Sequence, residues 1–268
     1  MNVAIFTDND FSKVNGVRTA LRAILDHAPA DVRARIYTCE ERSIELPGYL
    51  AMRGLGLGIP FYREVRMYIP PVRRFVRQAE ADGIDLVHFT TPGPVGLAAM
   101  HVVSALRLPM VGSFHTDLTS YTRLLSGSAW LARLMREYLR WPYGRCERIF
   151  VPTQPTRHTL VDGRIDPAKI RIWRRGVSGE QFTPAKRCEV LRQRWRVTGE
   201  RLALLYVGRL SREKGLDLLT PLRERLRRIG IDHQFVIAGD GPMRRELAAS
   251  LPGAAFLGTL SEPNVAAV

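Results

Sequence analysis

Short apolar runs with no polar alternation recur through the first part of the chain. They are Val3-Ala4-Ile5-Phe6, Ile36-Tyr37, Leu86-Val87-His88-Phe89, Met110-Val111-Gly112 and Ile149-Phe150-Val151. A strand that is apolar on both faces must be covered on both faces, which is the condition of a parallel strand between layers of helices. Segments with helical spacing lie between most of the runs. Residues 15–27 carry Val17, Leu21, Ile24 and Leu25 three and four apart, with Asn15 as a candidate N-cap. Residues 72–80, 95–106 and 129–143 read in the same way. Strands alternating with amphipathic helices imply an α/β chain built on a doubly wound parallel sheet.

The rhythm breaks at residues 173–187, where Trp173-Arg174-Arg175-Gly176-Val177-Ser178-Gly179 has no period and Pro184 follows. This stretch reads as a linker between a first domain, 1–172, and a second, 188–268. The pattern then restarts. A helix is expected at about 187–195, a strand at 202–207, and a helix at about 215–228. A strand at 234–238, the turn Gly239-Asp240-Gly241-Pro242, a helix at 243–251 and a strand at 255–257 follow. Only three strands in the second domain would leave a sheet edge and an apolar face uncovered. The expectation from this is a C-terminally truncated chain.

Composition narrows the class. Hydrophobic residues are 46% and charged residues 25% of 268, enough to build a packed core and unlike a disordered or collagen-like chain. Cys39, Cys146 and Cys188 are far apart and in no CxxC spacing, so neither a zinc site nor a disulfide framework is expected. The first ten residues lack a basic n-region, and the stretch 93–106 is shorter than the ~20 residues a bilayer span requires. A cytoplasmic location is expected, free or peripheral on the inner face of the membrane.

The net charge of +14 favours anionic partners. Arg63, Arg66, Arg73, Arg74 and Arg77 are interleaved with Phe61, Tyr62, Met67, Tyr68 and Ile69. Such a segment either rests on anionic lipid or is a solvated arginine-rich face. No nucleic-acid motif accompanies it, so lipid is preferred and nucleic acid is not expected. Arg66, Arg73, Arg74 and Arg77 are taken as the acceptor or membrane surface. Gly54-Leu55-Gly56-Leu57-Gly58 follows no strand and precedes Pro60, which suggests a flexible loop rather than a phosphate cradle. Trp130, Leu134, Tyr138 and Trp141 form a helical stripe that reads as core. His88 and His101 read as structural.

In an open α/β sheet, ligands bind outside the carboxyl ends of the strands. Three loops there carry chemistry. Gly208-Arg209-Leu210-Ser211-Arg212-Glu213-Lys214-Gly215 leaves a strand and is expected to run into a helix N-terminus, a setting that suits phosphate. Arg209 can bind phosphate in bidentate fashion and Lys214 adds a point charge; a solvated basic turn is the alternative. Asn15-Gly16-Val17 permits close backbone approach of an anion at a helix start, or is an ordinary capped helix. Phe114-His115-Thr116-Asp117 places a group that titrates near neutral pH at a strand end, although a lone His is more often structural.

Together these loops resemble glycosyltransferase family 4, the retaining enzymes of GT-B fold. The matching segments run in the family's order. They are Asn15-Gly16-Val17, Phe114-His115-Thr116, Val151-Pro152-Thr153, Ile172-Trp173-Arg174-Arg175-Gly176-Val177 with Phe182 and Pro184, Tyr206-Val207-Gly208-Arg209-Leu210 with Glu213-Lys214-Gly215, Ala238-Gly239-Asp240-Gly241-Pro242, and Phe256-Leu257-Gly258. The resemblance implies two Rossmann-like domains facing a cleft, the second incomplete here. Its glycolipid-forming branch, such as sulfoquinovosyl diacylglycerol synthases and mannosyltransferases acting on phosphatidylinositol or diacylglycerol, is the most similar.

By that resemblance a hexose would pass from a UDP- or GDP-linked sugar to a lipid or carbohydrate acceptor with retention of configuration. Arg209 and Lys214 would hold the donor diphosphate and stabilise the leaving nucleotide. Gly16 would offer its N–H to the same phosphates, and His115 would lie near the sugar and acceptor. Leu260 and Glu262 would face the base. No metal or other cofactor is implied. The chain departs from the family at Ser178, where an acidic residue is usual, and at Thr153, where serine is. It also lacks a downstream stretch carrying two glutamates eight positions apart, which the family uses on the sugar and the ribose. Impaired activity is therefore expected. The alternatives are a non-catalytic remnant binding a membrane or a partner, and a different nucleotide-binding enzyme such as an epimerase of similar architecture.

Overall fold

The computed structural model describes residues 1–9, 16–59, 62–174 and 176–268, with the side chains of 59, 62–65 and 262 left aside. The expected N-cap Asn15, together with Phe61, Arg175 and the side chain of Arg63, lies outside the described residues. The chain divides into two compact units, Met1–Arg175 and Gly176–Val268.

The first unit runs β1 (Asn2–Phe6), α1 (Gly16–Asp26), β2 (Arg33–Glu40), β3 (Ile44–Leu46), β4 (Tyr49–Arg53), β5 (Leu55–Ile59), β6 (Tyr62–Ile69), α2 (Val72–Ala81), β7 (Leu86–Phe89), α3 (Pro94–Leu106), β8 (Met110–Ser113), α4 (Leu118–Ser126), α5 (Ala129–Arg145), β9 (Arg148–Val151), α6 (Gln154–Asp162) and β10 (Ile170–Ile172). Eight strands form one sheet in the order β10-β9-β8-β7-β1-β2-β4-β3. The strands are parallel except β3, which runs antiparallel to β4.

Strand β1 shows why alternation is missing from the sequence. Val3 and Ile5 pack with Leu21 and Ile36 on the α1 side of the sheet. Ala4 and Phe6 join Tyr37, Phe75, Val87 and Phe89 in the large cluster under α2 and α3. Both faces are buried, so both positions of the period-2 pattern are apolar. The Phe6 ring stacks on Tyr37 at 4.9 Å and meets the edge of Phe75 at 5.4 Å. Burying a side chain of this size contributes about 1.5–3 kcal/mol.

Two sequence expectations are corrected in this unit. Gly54 to Gly58 is not a flexible loop: β5 pairs antiparallel with β6. Tyr68 covers Gly54 and Gly56, while Gly58 has open space beside it. A Cβ on Gly54 would come within 2.9 Å of Tyr68 Cβ and Ile69 O, and one on Gly56 within 3.1 Å of the Tyr68 ring. Of the α5 stripe only Tyr138 joins the core, partly buried against the large cluster. Trp130, Leu134 and Trp141 are exposed, and the buried side carries Ala132, Leu139, Pro142 and Tyr143. The period was right and the face was wrong, because a periodic stripe does not say what lies opposite it.

The second unit runs α7 (Glu189–Arg194), β11 (Leu202–Val207), α8 (Leu219–Arg228), β12 (His233–Ala238), α9 (Arg244–Ser250), β13 (Ala255–Gly258) and α10 (Glu262–Ala266). Its sheet is parallel, in the order β11-β12-β13. Central β12 is the most buried strand. Phe235 and Ile237 pack with Leu210, Leu216, Met243, Leu247 and Leu251, and Val236 packs on the other face with Trp195 and Val197. Edge strand β11 leaves Leu202, Leu205 and Val207 about half exposed.

Candidate functional site

In the second unit the chemistry-bearing loop leaves β11. Its backbone is locked to the turn after β12. The amide of Gly208 donates to Ala238 O at 2.9 Å, Leu210 to Asp240 O at 2.9 Å, and Met243 to Leu210 O at 2.9 Å. The Tyr206 hydroxyl donates to Arg209 O at 2.7 Å. Contact this close requires glycine. A Cβ on Gly239 (φ 140°) would lie 1.8 Å from Gly208 O, and one on Gly241 (φ 157°) 2.4 Å from Leu210 O. Leu210 and Leu216 are anchored in the core on either side of the loop.

The result is a rigid platform from which Arg209, half-buried, and Lys214, exposed, emerge. The loop does not run directly into a helix N-terminus as the sequence reading expects. Single 3-10 turns at Arg212–Lys214 and Leu216–Leu218 intervene, joined by Gly215 at φ 65°, and α8 begins at Leu219. Lys214 closes the first of these turns, so its position is set by a tight local bend. Leu260 follows β13 and is half-buried, and Glu262 opens α10.

In the first unit β1 is flanked by β2 on one side and β7 on the other. The order in which successive strands are laid down reverses here, while the strands stay parallel, and crevices at such switch points are where open α/β sheets bind ligands. Gly16, the first residue of α1, and the loop after β7 both lie at this end of the strands. Asp8 stands two residues past the end of β1 and is not among the candidates that the sequence singles out. Its carboxylate accepts from Thr91 Oγ1 at 2.6 Å and from the amides of Gly93, Val95 and Gly96 at 3.1, 2.8 and 3.3 Å. Burial pushes its pKa above the usual carboxylate range, against the pull of those hydrogen bonds. Asp8 thus fills the N-terminus of α3 and ties the β1 loop to it. An acidic residue just past an apolar strand was the available signal; its partners are more than 80 residues away.

His115 follows β8 and is half-buried. The amide of Phe114 donates to Phe150 O at 2.9 Å, and its ring meets the edge of Tyr143 at 5.4 Å. The Tyr143 hydroxyl donates to Ser113 O at 3.1 Å. Asp117 caps α4, accepting from the Ser120 amide at 3.1 Å. The His115 turn is therefore held on both flanks. Nearby His88 is buried and bonds Ser113 Oγ through Nε2 at 2.7 Å, and burial pushes its pKa down to about 4.

The basic residues taken as a membrane surface lie on two elements. Arg66 is on β6 and pairs with Glu41. Arg73, Arg74 and Arg77 are exposed on α2, on the side away from buried Phe75 and Ala79. Among the described residues, no group of three or more His, Cys, Asp or Glu side chains is placed to hold a metal ion, and no helix is long and apolar enough to cross a membrane.

The model of glycosyltransferase family 4 matches residues 14–181 of this sequence. The chain belongs to glycosyltransferase family 4. This family-4 chain is 28% identical over 274 residues to a GDP-mannose-dependent alpha-mannosyltransferase of Corynebacterium glutamicum, covering 99% of this chain and 64% of that protein. It is 28% identical over 205 residues to sulfoquinovosyl transferase SQD2 of Arabidopsis thaliana, covering 75% of this chain and 39% of the relative. Anabaena Alr3699/HepE, solved in complex with UDP-glucose, superposes with a TM-score of 0.70 at 15% identity, over 99% of this chain and 71% of that one. The likeness establishes an α/β fold of GT-B type. The chain spans just under two thirds of the length of the Corynebacterium relative.

Proposed function

We propose that this family-4 protein transfers a hexose from a UDP- or GDP-linked sugar to a lipid acceptor, with retention of configuration. The observation that carries the reading is the Gly208–Gly215 loop. Two cations, Arg209 and Lys214, project from a backbone platform whose glycines allow no side chain, at the carboxyl end of the edge strand of a parallel sheet. Heterolysis of the sugar–phosphate bond leaves positive charge on the sugar and an added negative charge on the diphosphate. A fixed guanidinium and ammonium at the diphosphate stabilise that charge more in the transition state than in the ground state, which is what lowers the barrier.

These two cations do the work that a divalent ion would otherwise do, so no metal is required in this reading. Arg209, Lys214 and His115 form the proposed catalytic set. Arg209 takes phosphate in bidentate fashion, Lys214 supplies a point charge, and His115 lies by the transferred sugar and the acceptor. Gly16, with no Cβ at a helix start, offers its N–H to phosphate. Leu260 and Glu262 are assigned to the nucleotide base. The name of the Corynebacterium relative makes GDP-mannose the first donor to try, and the diacylglycerol and phosphatidylinositol in the names of two other relatives make a lipid the first acceptor class. Arg66, Arg73, Arg74 and Arg77 would hold that acceptor's membrane.

Thermal denaturation of the chain with GDP-mannose, UDP-glucose and the free nucleotides tests the reading. A donor at a hundred times its dissociation constant stabilises by about 2.7 kcal/mol, a shift of several degrees. Arg209→Ala and Lys214→Ala should each remove most of that shift while leaving the unliganded Tm within a degree or so, since neither side chain is core. A folded protein that no nucleotide sugar stabilises would favour the non-catalytic alternative.

A further inference from the structure

The outward face of α5 takes no part in donor chemistry, yet it carries the largest exposed aromatic surface of the described residues. Trp130, Leu134 and Trp141 are 66%, 48% and 48% exposed along one side of the helix, and Leu124 and Leu125 near the end of α4 are exposed too. A solvated helix carries polar groups on such a face, and clustered exposed apolar side chains mark an interaction surface.

Beside the stripe, between α4, α5 and the turn after α6, lies a cavity of about 480 Å³ lined by Arg123, Arg133, Arg136 and Arg164, with Glu137 and Asp162. A neighbouring hollow shares Glu137 and Arg164 and adds Arg140, Trp141, Asp166 and Lys169. Glu137 is engaged by Arg140 at 2.7 Å, and the charges of Arg164 and Arg133 reinforce that pair in holding its carboxyl below the usual range. Cations outnumber acids in both hollows. The Arg145 guanidinium lies 4.9 Å from the centre of the Trp141 ring.

We propose that this face docks on an anionic phospholipid bilayer, with Arg123, Arg133, Arg136 and Arg164 taking headgroup phosphates and Trp130, Leu134 and Trp141 entering the interfacial layer. Tryptophan prefers the headgroup level, where its ring is buried and its N–H is wet, and arginine beside it meets phosphate. The stripe runs along the helix for about 16 Å, so the helix would lie in the membrane plane. A second copy of the chain would bring these arginines against one another, which like charge opposes. These residues lie on elements other than β6 and α2, which carry Arg66, Arg73, Arg74 and Arg77, and docking here does not depend on glycosyl transfer.

The test is co-sedimentation of the full chain with vesicles of phosphatidylcholine alone and of phosphatidylcholine with phosphatidylglycerol, followed also by tryptophan emission. Binding is expected only with phosphatidylglycerol and with a blue shift, and the Trp130→Phe/Trp141→Phe variant should lose most of that shift. Arg133→Glu/Arg136→Glu should weaken partition at least about tenfold, since each arginine near an anionic surface is worth about fivefold. Leu134→Asp should abolish it. The same reversal on α8, Arg225→Glu/Arg228→Glu, should cost under about threefold, which separates local contact from net charge. Each variant's Tm and donor shift are measured alongside, so loss of vesicle binding with both retained is specific to this face. The proposal is overturned by equal binding to neutral vesicles, by no binding, or by binding that only neutralising Arg73, Arg74 and Arg77 removes. It is overturned equally if the face variants alter only oligomeric mass, or if poly-glutamate displaces the chain from an α5-dependent site that vesicles do not fill.

Discussion

At the scale of single residues, His88 makes the protein's stability depend on pH in a definite direction. In the unfolded chain its imidazole protonates near 6.5, whereas in the fold burial lowers that to about 4. The unfolded state binds more protons throughout this window, so stability falls as the pH drops from about 6.5 toward 4. The loss should reach about 2 kcal/mol by pH ~5, read from urea midpoints, and His88→Gln should flatten the slope. A slope unchanged in the variant would put the acid sensitivity elsewhere. Glycines offer a second residue-scale contrast. Gly239→Ala drives a methyl group into Gly208 O and should cost more than about 3 kcal/mol along with the donor shift. Gly144→Ala, within α5 and with nothing near its added Cβ, should be neutral or stabilising by up to ~1 kcal/mol.

At the scale of elements, the informative unit is a strand with the loop at its carboxyl end. Asp8 joins the β1 loop to the start of α3 through one hydroxyl and three amides. Asp8→Ala strands those donors in a buried setting and should destabilise by about 2–4 kcal/mol; Asp8→Asn keeps part of the bonding and should cost less. Hydrogen exchange at the first turn of α3 is the local readout: fast exchange in the alanine variant, without change at α8, is the expected pattern. Helix α5 works on two sides. Tyr143 on its buried side bonds the end of β8 and packs on Phe114, so it steadies the turn that carries His115. Its other side is the tryptophan stripe. Nothing in the spacing of Trp130, Leu134, Tyr138 and Trp141 distinguishes these two sides, since both repeat with helical period.

At the scale of the whole molecule, charge dominates. A net charge of +14 on 268 residues is self-repulsive. Shortening the Debye length from about 30 Å to about 8 Å with sodium chloride should raise Tm, because screening relieves more repulsion than it removes from exposed pairs such as Arg66–Glu41 and Arg187–Glu189. A falling Tm would mean that the half-buried pair of Arg35 and Asp82, 2.7 Å apart, and its neighbours outweigh the net term.

Unalternated apolar runs and the ordered glycine, histidine and basic motifs were sufficient to reach the α/β class and family 4, because those depend on local pattern and chain order alone. They also pointed to the loops after β8 and β11. What they left undecided needed the third dimension. Gly54 and Gly56 owe their identity to Tyr68 on the paired strand, Gly239 owes its to Gly208 some thirty residues earlier, and Asp8 owes its partners to a loop more than 80 residues on. The 3-10 turns that carry Lys214 to α8, and the outward side of α5, were likewise decided by packing. Periodicity gives a chain its faces; only the neighbours that folding brings from distant sequence decide which face is covered and which is left to meet something else.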